Sequence, residues 1–140
     1  MYKRQVYLAR TGSTKAGIKY EITDRFGYDL ERTVDAIRPK YSFDVSCQGS
    51  VPESKICFLE SVSYEDTVRN AVSLGGDSDT MACVAGGIAE AFYGSVADKI
   101  RSQLSDTLPT DLINLIDRFV AWQQDDKLYI SENTQPSTRY

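Results

Sequence analysis

The sequence predicts an all-α chain, and three observations carry that prediction. Apolar residues recur at helical spacing, as in Ile18, Ile22 and Phe26, and glycine stands where such a run stops, as Gly27 does. Helix-start signals precede the runs, such as Ser63 with Asp66 three residues on. No stretch predicts a sheet; the piece from Arg38-Pro39 to Ser46 offers at most a short extended segment.

In chain order, residues Val6 to Arg10 read as the end of a helix, with Gly12 as its stop and no cap before it. The natural chain is therefore expected to extend further upstream, with residues 1–5 a start or scar outside the fold. The Ile18–Ile22–Phe26 helix follows. Asp29 is expected to cap a second, short helix that ends before Pro39. Ser50-Val51-Pro52-Glu53 reads as a capping box with proline in the first turn, opening a helix through Leu59. Ser63 and Asp66 open the next, which carries Val68, Ala71 and Val72 to a stop at Gly75.

A long helix is then expected from Ser78 to Tyr93. Its Ala82, Ala85, Gly86 and Ala89 form a stripe of small residues that lets a neighbouring helix approach closely. The last helix runs from Thr110 to about Gln123, with Leu112, Leu115, Ile116 and Phe119 as its expected buried face. Residues 125–140 read as a loose tail, so the domain is expected to span 6–124.

Composition narrows the chemistry. A net charge of −4 argues against nucleic acid as a partner, because phosphate contacts need clustered Lys and Arg. No apolar run is long enough to cross a bilayer and no secretory signal opens the chain, so no membrane association is expected and the expected location is cytoplasmic. Cys47, Cys57 and Cys83 match no zinc spacing and are expected to be packed thiols in the core. Histidine is absent, which excludes Ser-His-Asp and Cys-His catalysis. The remaining chemistry belongs to carboxylates, hydroxyls, thiols, Lys, Tyr or a metal held by oxygen.

Gly75-Gly76-Asp77-Ser78-Asp79-Thr80 is the informative segment. Inside a regular helix, residues two apart point roughly 200° away from each other, so Asp77 and Asp79 cannot share a ligand there. They converge only where a turn leads into a helix, and Gly75 and Gly76 supply such a turn by tolerating positive φ. Asp77, Asp79 and Thr80 then offer hard oxygen ligands suited to Mg²⁺ or Mn²⁺. The plain alternative is that Asp77 is a helix cap and Thr80 a surface residue. A calcium loop is excluded, since Met81 and Ile88 stand where oxygen ligands are needed.

The longer stretch carries a resemblance. The hexapeptide, followed by Val84-Ala85-Gly86-Gly87-Ile88-Ala89-Glu90-Ala91-Phe92-Tyr93-Gly94, closely resembles the C-terminal signature of the ADP-ribosylglycohydrolase family, which includes the dinitrogenase reductase activating glycohydrolases. A second block agrees: Phe43-Asp44-Val45-Ser46-Cys47-Gln48-Gly49-Ser50-Val51-Pro52-Glu53, then Phe58-Leu59-Glu60-Ser61 and Tyr64-Glu65-Asp66. The resemblance implies the C-terminal part of that family's helical fold. It implies that Asp77, Asp79 and Thr80 are metal ligands, with Asp79 the bridge between two Mg²⁺ or Mn²⁺ ions. It places Ser46, Gly49, Ser50, Gly75 and Gly76 near bound ADP-ribose, although Ser50 also has its reading as a cap. The implied reaction is hydrolysis of the glycosidic bond between ADP-ribose and a protein side chain or small acceptor.

One departure matters. The family's other metal ligands lie in a Thr-Asp-Asp motif with an acidic catalytic residue in its N-terminal half. These 140 residues contain no such motif; Asp125-Asp126 is the only Asp pair. The catalytic acid is thus unassigned, and the isolated chain is expected to be inactive, with apolar surface on the Ala82–Ala85–Ala89 stripe or around Val68 and Val72 left uncovered and open to self-association. Two rival readings are a helical module that binds ADP-ribose or a partner chain without turnover, and an unrelated metal phosphohydrolase.

Overall fold

A computed structural model of the chain describes residues 2–133, with side chains for residues 3–122. Every regular element among them is a helix, and no strand occurs. The chain forms two compact units, divided between Ala97 and Asp98.

The first unit holds six helices: α1 (Tyr2–Arg10), α2 (Lys15–Phe26), α3 (Val34–Ile37), α4 (Cys47–Glu60), α5 (Tyr64–Ser73) and α6 (Ser78–Tyr93). α1 stops at Gly12, whose φ of 82° lets two N–H groups turn back on the helix: Gly12 to Ala9 O at 3.3 Å and Ser13 to Leu8 O at 3.0 Å. Residues 4 and 5 belong to this packing rather than standing outside it. Gln5 is fully buried, and the Arg4 guanidinium meets the Glu21 carboxylate of α2 at 2.7 Å.

Two helix starts differ from the sequence expectation. Thr33, not Asp29, caps α3; Asp29 instead accepts from the Glu31 N–H at 3.1 Å and closes its own turn. A start at Thr33 puts Val34 and Ile37, three apart, into the core together. α4 begins four residues before the expected Ser50. Ser46 is its cap and accepts from Gly49 N–H, because an Asp44 turn precedes it. Ser50 lies inside the helix, and its hydroxyl donates back to Ser46 O at 2.8 Å. Glu53 does not close a capping box; both its oxygens take the Arg32 guanidinium, at 2.7 and 2.8 Å. Pro52 sits inside the helix and removes one backbone donor there.

The C-terminal end of α4 is tied to three other helices. The Lys15 ammonium donates to Phe58 O at 2.8 Å, Leu59 O at 3.2 Å and Ser61 O, satisfying carbonyls that a helix end leaves unpaired. Thr67 of α5 donates to the Ser61 hydroxyl at 2.6 Å, and Tyr93 of α6 to Ser61 O at 2.9 Å. α6 runs over the residues expected from the sequence and packs on α5, α4 and α1. A methyl placed on Gly86 would lie 3.5 Å from both Tyr64 and Val68 of α5, which shows how closely those helices approach. Ala85 and Ala89 are fully covered, Ala82 and Val68 are partly buried, and only Val72 is exposed, so the small-residue stripe is not the uncovered surface expected.

The second unit contains α7 (Asp98–Thr107) and α8 (Thr110–Asn133). Here the apolar face expected to be buried is open: Leu112, Leu115, Ile116 and Phe119 are 45–58% exposed. The pattern identifies an apolar face correctly, but among the described residues about half of it stays open. α8 also continues through residues 125–133, which were expected as loose tail; residues 134–140 of that tail lie outside the described residues. Of the three cysteines expected in the core only Cys57 is there, its thiol pushed up to about 12 by burial, while Cys47 and Cys83 are exposed.

Candidate metal centre

The turn between α5 and α6 has the shape that the two glycines imply. Gly75 and Gly76 lie at φ 73° and 62°, in the left-handed region. Asp77 then occupies the cap position of α6 at φ −78°, ψ 58°, but its side chain makes no capping bond. Its carbonyl starts the helix by accepting from Met81 N–H at 3.0 Å. The plain reading of Asp77 as a side-chain cap therefore fails, and its carboxylate is left for another task.

That carboxylate meets Asp79. Asp79 is held below the ordinary carboxyl range, first by the Asp77 carboxyl, which donates to it when protonated, and then by the N–H groups of Thr80 and of Asp79 itself. Asp77 is half-buried, whereas Asp79 and Thr80 face solvent on the first turn of α6. Among the described residues neither carboxylate has an ion-pair partner, and no third carboxylate, thiolate or imidazole joins them in a metal-holding group. Two adjacent carboxylates beside a hydroxyl, uncompensated by any cation of the chain, fit part of the oxygen shell of a divalent ion.

The second expected block is packed against this turn. A Cβ on Gly76 would lie 2.8 Å from the Tyr41 ring and 3.3 Å from Phe43 Cα, so only glycine admits the 41–43 segment so closely. Asp44 follows and accepts from Ser46 N–H at 2.7 Å; the Ser46 hydroxyl first, and then this N–H, hold its carboxyl below the usual range. Its carboxylate fills the space a Gly49 side chain would take: a Cβ there would be 1.9 Å from Asp44 Oδ2. Gly76 thus serves close approach of the 41–43 segment and Gly49 that of the Asp44 side chain, while Gly75, with nothing within 4 Å of a Cβ, serves the left-handed turn. Ser46 spends its hydroxyl oxygen on the α4 cap, and Ser50 turns inward. Sequence reasoning missed Tyr41 and gave Asp44 no role; the Asp44-Val45-Ser46 turn signal was available to find the latter.

A helical chain with paired carboxylates on a glycine turn, backed by a second glycine-dependent loop, defines a class. The profile of the ADP-ribosylglycohydrolase family matches residues 6–128, and the chain belongs to that family. Among individual proteins it is similar to ADP-ribosylhydrolase ARH3 of Danio rerio, 29% identical over 85 residues that cover 53% of this chain and 22% of that protein. The chain thus spans about a fifth of the length of this relative. No solved structure matches the chain.

Proposed function

We propose that this chain carries the C-terminal part of the catalytic centre of a metal-dependent glycohydrolase that cleaves ADP-ribose from a protein side chain or small acceptor. The observation behind this reading is the Asp77–Asp79 pair, set side by side on the Gly75–Gly76 turn with no cation of the chain between them. Asp77, Asp79 and Thr80 would hold the ions, with Asp79, the more exposed, as the bridge. When bound, two Mg²⁺ or Mn²⁺ ions would orient the distal ribose hydroxyls and polarise the attacked centre or its water. At Gly75 a Cβ would meet nothing within 4 Å, so that backbone leaves room for the substrate, whereas the space at Gly49 and Gly76 is taken by Asp44 and by Tyr41 and Phe43; Ser46 fixes the start of α4. In the net reaction water adds to the anomeric carbon, the bond to the acceptor breaks, and the acceptor leaves with a proton.

The 140 residues contain no Thr-Asp-Asp motif, so we expect them alone to bind a divalent ion weakly and to turn over no substrate. Titration of Mn²⁺ into the chain, read by electron paramagnetic resonance, should show one weak class of site that Asp79→Ala abolishes. Binding that survives this substitution would sink the reading. The alternative is a module that holds ADP-ribose without turnover. Calorimetry separates the two: ADP-ribose binding that needs Mg²⁺ and Asp79 supports the metal centre, and binding indifferent to both supports the module.

A further inference from the structure

We infer that Tyr41 is a positioning residue of this centre, its ring fixing the Gly75–Gly76 turn and its hydroxyl serving as the hydrogen-bond donor that orients the Asp77 carboxylate. The inference rests on the metal-centre reading above. Its first support is steric. The Tyr41 ring lies against Gly76 so closely that a Cβ there would collide at 2.8 Å, and the Tyr41 backbone is itself anchored by its N–H to Ile37 O at 2.9 Å. The ring is therefore a fixed wall behind the turn that aims Asp77.

The second support is an unsatisfied group. The Tyr41 hydroxyl is shut off from solvent and has no hydrogen-bond partner among the described residues. Leaving a buried hydroxyl unpaired costs about 1–3 kcal/mol, and phenylalanine would fill the same space without that cost. A donor kept in such a place points to an acceptor that turns toward it in another state of the site.

Burial raises the pKa of this phenol, and the charges of three carboxylates, Asp44, Glu53 and Asp77, add to it in that order. Two of these carboxylates are already engaged. Asp44 accepts from Ser46 N–H, and both oxygens of Glu53 take the Arg32 guanidinium. Asp77 has no capping bond and no ion pair, only its contact with Asp79. It is the acceptor with capacity to spare. Carboxylates that hold metal ions are themselves commonly held by an outer hydrogen bond, which fixes their rotamer and tunes their affinity. Tyr41, its ring against Gly76 one residue before Asp77, has the chemistry to supply that bond.

The test uses the full 140-residue chain with Mn²⁺ or Mg²⁺ alone as the probe. Tyr41→Phe should weaken Mn²⁺ binding by about 10–100-fold, the usual effect of losing an outer partner. The same variant should melt at the same temperature as wild type or higher in the absence of metal, because the unpaired hydroxyl is gone. A residue with a purely structural role would lower both. In ¹³C-tyrosine NMR, Mg²⁺ should shift the Tyr41 Cζ signal in wild type and leave it unmoved in Asp77→Ala. Equal Mn²⁺ affinity in wild type and Tyr41→Phe would overturn the role of Tyr41 while leaving the metal centre standing. Absence of any Mn²⁺ binding by the wild-type chain would overturn both.

Discussion

The two units of this chain are built from similar helices and end in different states. Up to Ala97, helices of four to sixteen residues bury a continuous core that includes Ile22, Ile56, Phe58, Met81, Ala85 and Ile88, all at 1% exposure or less. From Asp98 on, α7 buries no residue, and a space of about 110 Å³ lies between α7, Leu108 and α8, lined by Leu104, Leu108, Ile113 and Ile116 together with Arg101, Ser105 and Asp117. The helical pattern of α8 is at least as regular as that of α4, whose buried side chains include Glu53, Ser54 and Lys55. Periodicity thus names the apolar side of a helix; burial needs a second surface of matching shape. In the first unit that surface is made by the small residues of α6, which let α5 close on them.

The largest expected effect tests that core. Ile88→Ala removes a fully buried side chain between packed helices and should cost about 2–5 kcal/mol in denaturant unfolding. A loss under about 1 kcal/mol would mean that the core of the first unit is as loosely filled as the α7–α8 pair, and the contrast would fall.

A second test uses the one lysine inside this core. Lys55 is 3% exposed, its ammonium 4.4 Å from the centre of the Tyr28 ring, and burial pushes its pKa down to about 8. From 10.5 that is about 3 kcal/mol against the charged form. Below pH 8 the folded chain carries this penalty in full. Between pH 8 and 10.5 the folded lysine is neutral while the unfolded one still holds its proton, so stability rises with pH. Cys57 works in the opposite sense from about pH 9, since the unfolded thiol ionises while the folded one stays protonated up to about 12. The rise should therefore show between pH 8 and 9. Lys55→Met should remove the rise, leaving only the fall. An unchanged pH profile in that variant would show that the ammonium reaches water.

A smaller effect belongs to the caps. Ser63 accepts from Asp66 N–H at 3.1 Å, and the Asp66 carboxylate reaches back to Val62 N–H at 2.8 Å. Ser63→Ala should cost about 1 kcal/mol in thermal unfolding. A cost near zero would show that Asp66 alone holds the start of α5.

Local signals were legible where a residue type acts on its own backbone. Gly27, Ser63 and the Ser78-to-Tyr93 helix stand where the sequence puts them, because stops, caps and small-residue runs act within one turn. The start of α4 was misplaced because two serines, Ser46 and Ser50, both precede a helical run, and the choice between them lies with Asp44. The proximity of Asp77 and Asp79 followed from the glycines. The packing of Tyr41 on Gly76 did not, since residues 35 positions apart meet only through the tertiary fold. The exposure of α8 was equally out of reach, because a periodic pattern carries no information on what will lie against it.

The smallest expected effect lies there and tests the comparison from its other side. Ile116 and Phe119 are 46% and 55% exposed, so water already reaches much of each side chain. Truncation forfeits burial only on the covered part, at about 25 cal/mol per Å². Ile116→Ala and Phe119→Ala should therefore each change the stability of the chain by about 1 kcal/mol or less, against the several expected at Ile88. The measurement is denaturant unfolding of dilute protein, repeated at a tenfold higher concentration. At low concentration, a loss above about 2 kcal/mol would mean that the face is covered within the chain, contrary to its exposure here. A loss that grows with concentration would mean that a second copy covers it, because stability linked to association rises with protomer concentration. Small losses at both concentrations would leave the contrast between the two units as the structure draws it.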